Sequence, residues 1–131
     1  MKTLALKTGS RTKFVDITSE IQDAIRKNKW TSGLLCVYAP HTTAAITINE
    51  NADPSVPRDI LEHLGKLVPL HAGYRHSEGN SDAHIKASLV GPSVTVIVEE
   101  GKMVLGTWQG VFFCEFDGPR NRQVFLHFIE D

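Results

Sequence analysis

A single-domain α+β fold, with a mixed or largely antiparallel sheet and about three helices, is predicted by three observations. The 131 residues suit a single domain, here residues 1–131, that buries roughly two thirds of its unfolded surface. Short apolar runs with the two-residue period of strands outnumber helical stripes, and no repeat, low-complexity tract or linker interrupts them.

Residues 3–8 and 12–17 read as short strands joined by a turn at Gly9-Ser10. Ser19-Glu-Ile-Gln22 then has capping-box spacing, and Ile17, Ile21, Ala24 and Ile25 recur at helical intervals as far as Asn28 and Lys29. Gly33 to Ala39 is a compact apolar run ended by Pro40, which cannot donate to a ladder. Ala44 to Asn49 alternates as a strand with one face in the core. Asp53-Pro54 marks a second helix, with a capping carboxylate and a proline at the first position; its apolar stripe is Val56, Ile60, Leu61, Leu64 and Leu67, and Pro69 stops it. Pro57 is compatible with this helix only in the first turn. Leu70 to Asn80 is polar and irregular. Ser81 or Asp82 caps a third helix that runs to Val90, before Gly91-Pro92. The remainder predicts a meander: Ser93–Glu99, a turn at Glu100-Gly101, Lys102–Leu105, Gly110–Phe116, a turn at Asp117-Gly118-Pro119, and Gln123–Ile129.

Composition narrows the function. Lys plus Arg number 14 against 15 Asp plus Glu, a net charge of −1, so no broad attraction to nucleic acid or anionic membrane is expected. The basic clusters, Lys2 to Lys13 and Arg120 with Arg122, lack interleaved aromatics. No run approaches the roughly 20 apolar residues of a membrane helix, and the N-terminal apolar run is too short for a secretory signal. A cytoplasmic protein is expected. Cys36 and Cys114 sit in apolar runs, as buried reduced thiols do.

Chemistry concentrates between His76 and Lys86, where eleven residues hold two imidazoles, two carboxylates, an amide, two hydroxyls and a lysine. With His41, at a strand junction after Pro40, the histidines His76 and His84 could form a three-imidazole site with one position left for water. The competing reading is hydrogen-bonded or exposed histidines, as expected for His63, His71 and His127. Glu78 and Asp82 are candidate bases or imidazole partners; equally, Asp82 caps a helix and Glu78 is a solvated loop charge. Trp108 and Gln109, between Gly106 and Gly110, could stack a planar ring and bond its edge, or form an ordinary bulge. Arg120, at a rigid turn, suits phosphate or carboxylate, or is simply solvated. Asn49-Glu50-Asn51 is a further polar cluster. No Gly-x-Ser-x-Gly elbow supports a serine triad, and no glycine-rich phosphate loop is present.

The blocks His41-Thr-Thr-Ala-Ala-Ile-Thr-Ile-Asn-Glu-Asn-Ala-Asp53, Tyr74-Arg-His-Ser-Glu-Gly-Asn-Ser-Asp-Ala-His-Ile-Lys86, Leu105-Gly-Thr-Trp-Gln-Gly110 and Phe113-Cys-Glu-Phe-Asp-Gly-Pro-Arg120 together resemble the YjbQ-like family, in the family's order and over essentially the whole chain. The resemblance implies a compact α+β subunit, a homotrimer with clefts where subunits meet, and a secondary thiamine-phosphate synthase activity that joins a pyrimidine diphosphate to a thiazole phosphate and releases pyrophosphate. The expectation is therefore a transferase acting on a phosphorylated small molecule, with a divalent metal ion (Zn or Mg) on His41, His76 and His84. Glu78, Asp82 and Arg120 are the catalytic candidates, and Glu50, Asn80, Trp108 and Gln109 the substrate contacts. The alternatives are a non-catalytic metal- or small-molecule-binding trimer and a scaffold for another protein.

Overall fold

The computed structural model describes residues 1–131. Eight strands and three helices follow in the order β1 (Lys2–Lys7), β2 (Lys13–Asp16), α1 (Thr18–Lys27), β3 (Gly33–Tyr38), β4 (Ala44–Glu50), α2 (Ser55–Leu67), α3 (Ser81–Val90), β5 (Ser93–Glu99), β6 (Lys102–Met103), β7 (Gln109–Glu115) and β8 (Asn121–Glu130). They build two sheets, β1-β8-β3-β5-β6 and β2-β7-β4, and every pairing is antiparallel. No helix is long and apolar enough to cross a membrane.

The layers follow from which strands are apolar on two faces. Within β7, Val111 and Phe113 point into a core shared with β3, β5 and β8, while Phe112 and Cys114 point into a second core against α2 and α3. A strand apolar on both faces must lie centrally between two covering layers, so the small sheet is sandwiched between the large sheet and the α2/α3 layer. Its neighbour β4 is likewise buried on both faces at Ala44, Ala45 and Ile46, where the alternation predicted burial of one face only. The two-sided demand of β7 also breaks the expected meander: β5 and β6 form a hairpin, but β7 crosses to the small sheet and β8 returns to the large one. For the same reason the first two strands are not a hairpin, since β1 pairs with β8 and β2 with β7.

The helices also differ at their ends from the sequence expectation. Ile17, Ile21 and Ile25, all fully buried, recur every fourth residue and set α1 one turn's face against the main core. That stripe places Ile17 at the N-cap, so Ser19 is inside the helix and Asp16 Oδ1 accepts from the Thr18 N–H at 3.0 Å instead. Gln22 turns away from any capping box and bonds the Gly101 carbonyl and the Met103 N–H. In α2 Pro54 is the N-cap rather than the first helical residue, and Asp53 accepts from the Ser55 N–H at 2.9 Å. Ile60, Leu61 and Leu64 pack on the second core, whereas Leu67 is exposed. Neither Ser81 nor Asp82 caps α3; Asn80 holds that position without a side-chain bond, and Gly91 ends the helix at a φ of 99°. Both cysteines are free; Cys114 is buried, and burial drives its thiol pKa well above the usual range, while Cys36 is half-buried on the outer face of the large sheet.

Candidate functional site

A cleft of about 620 Å³ opens where β4 begins and β7 ends, and only one of its eleven lining residues is hydrophobic. The β3–β4 loop supplies His41, Thr42 and Thr43, the start of α3 supplies Asn80 and His84, and the turn before β8 supplies Asp117 and Arg120. Arg122 enters from β8 itself. Antiparallel pairing explains the convergence, because Ala44 lies opposite Glu115 and brings the loop before β4 beside the turn after β7.

His41 Nε2 lies 2.9 Å from the Gln123 N–H and 3.1 Å from the Gln123 carbonyl, so it accepts from the first when the ring proton is on Nδ1 and donates to the second when it carries the proton itself. Burial first, and then the Arg122 charge, hold the His41 pKa below its ordinary value, against smaller opposing effects of Gln123 and Glu115. Asn80 Nδ2 donates to Asp117 Oδ2 at 2.9 Å, and flipping the amide would set oxygen against oxygen. Its Oδ1 is buried without a partner. Arg120 is folded onto the same turn: its Nε donates to the Asp117 carbonyl at 2.8 Å and its Nη2 to Asp117 Oδ2 at 2.9 Å, with about half of its side chain exposed.

Two buried ion pairs stand behind the cleft. Glu115, fully buried, accepts from Arg122 Nε at 2.8 Å and also from Arg122 Nη2, from Thr8 Oγ1 at 2.7 Å and from the Asp117 N–H at 3.0 Å. Arg122 Nη2 further donates to Thr43 Oγ1 at 2.9 Å. The second pair centres on Asp82, which is fully buried and receives both Arg11 Nη atoms, at 3.0 and 3.1 Å, and Lys86 Nζ at 3.2 Å. Burial raises the pKa of Asp82 and of Glu115, but the bonds from their cationic partners outweigh it and leave both below the usual carboxylate value.

His41, His84, Glu78, Asn80 and Arg120 therefore line one cleft, drawn from three different roles expected from the sequence: metal ligands, catalytic groups and a substrate contact. The remaining candidates do not join them. His76 stands against the far side of His84, with ring centroids 5.5 Å apart and the planes nearly perpendicular, and its Nε2 is 3.7 Å from Glu78. No three His, Cys, Asp or Glu residues of the chain close on a common metal position, so His41, His76 and His84 are not a preassembled cation site within one subunit. Asp82 faces inward to Arg11 and Lys86, away from the cleft. Glu50, opposite Gln109 in the ladder, lies with Trp108 at the other end of β4, about 20 Å away at the rise of an extended strand. There Gln109 Oε1 accepts from the N–H of its own loop's Gly106 at 2.7 Å, and Trp108 is 62 % exposed.

Sequence reasoning gave no site role to Arg122, Thr43, Glu115, Arg11 or Lys86. Two signals were present: a carboxylate inside the apolar run Val-Phe-Phe-Cys-Glu-Phe, and the shared strand face of Arg122, Val124 and Leu126, which assigns Arg122 to the interior.

Residues 2–131 match the family described as UPF0047 protein YjbQ-like. A UPF0047 protein of Methanocaldococcus jannaschii is 56% identical over 96% of this chain and 91% of its own length. The UPF0047 protein YugU of Bacillus subtilis is 51% identical, with 96% of each chain covered. Among solved structures, a YjbQ/UPF0047 family protein of Clostridium acetobutylicum superposes with a TM-score of 0.96 at 53% identity, covering 98% of this chain and 100% of that one. The protein APE1520 of Aeropyrum pernix gives 0.94 at 35% identity, covering 99% and 98%. The chain belongs to the YjbQ-like UPF0047 family.

Proposed function

We propose that the chain is a cytoplasmic transferase of thiamine-phosphate-synthase type that binds a phosphorylated small molecule in the cleft of His41, His84 and Arg122. The observation that carries this reading is the cleft's lining: nearly all polar, with guanidinium, hydroxyl and imidazole groups turned to one space. Such donors, fixed before substrate arrives, stabilise charge that develops on a departing pyrophosphate. Thr42 and the arginines bond its oxygens, and His84 or Glu78 exchanges the proton. Asp82 takes no part, since both of its oxygens are already spent. A divalent cation, Zn or Mg, enters this reading bound to the substrate's phosphates, the usual habit of Mg²⁺.

Assembly as a homotrimer is part of the proposal. Leu34, Ile97 and Ile129 lie side by side on the uncovered face of the large sheet, at 44 %, 55 % and 59 % exposure, and Tyr38 continues that face to the rim of the cleft. Copies packed there would hide an apolar surface and stand beside the cleft mouth. In analytical ultracentrifugation the unmodified protein is expected as a trimer, and Ile129→Glu as a smaller species.

The test of function supplies the pyrimidine diphosphate and the thiazole phosphate with Mg²⁺ and measures pyrophosphate release. Repeated turnover that disappears in His84→Ala supports the transferase. Saturable binding without product favours the non-catalytic binding module. A protein whose melting temperature neither these compounds nor pyrophosphate raises does not use the cleft this way, because a ligand selective for the folded state must stabilise it.

A further inference from the structure

The cleft holds two arginines, and the one conspicuous in sequence is the less suited to grip an anion. Arg120 is half exposed, and its fork already spans the Asp117 carbonyl and carboxylate. Arg122 is only 5 % exposed, and its Nε and Nη2 are consumed by Glu115 and Thr43. Its third nitrogen, Nη1, finds no acceptor in the chain, yet it is not sealed from solvent. Arg122 and His41 together line both the cleft and the hollow behind it, so the pair forms the partition between the two spaces.

We infer that Arg122 is the anchor for the anionic group of the cleft's ligand, with an oxyanion received by its Nη1 beside the His41 imidazole, and with Glu115 acting as the positioning residue that aims the guanidinium. The inference rests on the phosphorylated-ligand reading and adds to it the residue that does the holding.

Preorganisation favours Arg122 over Arg120. Four donors saturate the Glu115 carboxylate, so it cannot swing away, and the guanidinium is clamped along one edge. A buried arginine clamped this way loses almost no rotamer entropy when it binds, whereas an exposed one must be ordered first. Glu115 cancels the formal charge of Arg122, and among the cleft-lining groups Glu78 and Asp117 face Arg120 and Arg122 in equal number. Net charge therefore does not attract the ligand. Directed hydrogen bonds from a buried, clamped guanidinium do, and they select an anion with tetrahedral oxygens over a diffuse negative surface. A consequence is measurable at His41: an anion beside Arg122 offsets the charge that helps to depress the imidazole, so binding raises its titration midpoint.

The experiment measures pyrophosphate affinity by titration calorimetry for the unmodified protein, Arg120→Gln, and the double variant Glu115→Gln/Arg122→Met. The double variant is chosen because replacing both members of a buried ion pair with neutral groups of similar volume is commonly tolerated, whereas removing one is not. Expected is a loss of about tenfold or more in the double variant and about threefold or less in Arg120→Gln, the scale that separates a charge-assisted bond from a solvated one. In parallel, the His41 imidazole resonances are followed against pH with and without pyrophosphate. The midpoint should rise in the unmodified protein and stay in place in the double variant. Unchanged affinity in a folded double variant overturns the inference and leaves the phosphorylated-ligand reading intact. No binding to the unmodified protein overturns both.

Discussion

The β2-β7-β4 sheet ends in two polar regions of opposite construction. Where β4 begins, the polar groups are cross-linked between distant parts of the chain: Thr8 to Glu115, Arg11 to Asp82, Thr43 to Arg122. Where β4 ends, most polar groups bond their own neighbours, Gln109 to Gly106, Glu50 to the Asp53 N–H and Asp53 to Ser55, although Asn51 Nδ2 also reaches Asp16 Oδ2 at 3.1 Å. A mostly locally satisfied cluster folds its side chains onto itself and asks little of the rest of the molecule. A long-range one couples its geometry to the whole fold, and it can hold a donor such as Arg122 Nη1 in place unpaired. The comparison teaches that the density of polar residues in a sequence says little about where a site is; the span of their partners says more.

The largest effect that would break this contrast is expected at Glu115. Glu115→Gln leaves the Arg122 guanidinium buried without its counter-charge, and loss of one partner of such a pair costs about 3–5 kcal/mol. Urea denaturation at neutral pH checks it, and the double variant with Arg122→Met should recover much of the loss. The pH dependence carries the same signature. The folded-state pKa values of Glu115 and Asp82 lie below their unfolded values, so their stabilisation is complete above the ordinary carboxylate range and is lost as pH falls through the folded values. The unmodified protein should thus lose stability on acidification more steeply than Glu115→Gln does. Parallel acid limbs would mean that the pair contributes nothing through charge.

A smaller effect, on the same end, is expected from Gly118→Ala. A methyl group there would strike the Ser10 carbonyl oxygen and come within 2.9 Å of Thr8 Oγ1 and Glu115 Cγ, two groups of the clamp on Arg122. Overpacking of this kind costs about 1–3 kcal/mol. If the clamp aims the guanidinium, pyrophosphate affinity should fall along with the melting temperature. A drop in stability at full affinity would separate the clamp from binding.

These expectations show which parts of the molecule its sequence discloses. The Ile17, Ile21, Ile25 stripe, the Gly91 stop and the runs of β3 and β7 are legible because each depends on a period or a local backbone preference. What pairs with what is not local. Nothing in the runs 3–8 and 12–17 says that the two strands belong to different sheets; that follows from β7 needing cover on both faces. Of the residues lining the cleft, His41, His84 and Arg120 stand out by residue type, and Asn80 only through the YjbQ-like blocks. Arg122 is hidden because its significance comes from Glu115 seven residues back across a turn, and Asp82 misleads because a carboxylate at a helix start suggests a cap until Arg11, 71 residues away, claims it. The YjbQ-like blocks carried the fold further than periodicity did, but a conserved-looking string such as Gly-Thr-Trp-Gln does not say whether its residues face the cleft.

The smallest effect is expected at that string. Trp108 is 62 % exposed, and its one backbone bond in the loop, accepting from the Asn51 N–H at 3.0 Å, does not use the indole. Trp108→Ala should change unfolding free energy by no more than about 0.5 kcal/mol, the usual range for a surface position. Because the indole stands about 20 Å from the cleft along β4, beyond the distance at which two sites ordinarily couple, pyrophosphate affinity should also change by less than about twofold. The measurement discriminates sharply. A large loss of affinity in a stable Trp108→Ala protein is not expected of one chain acting alone in this geometry, and would point to the far end of one subunit completing the cleft of another.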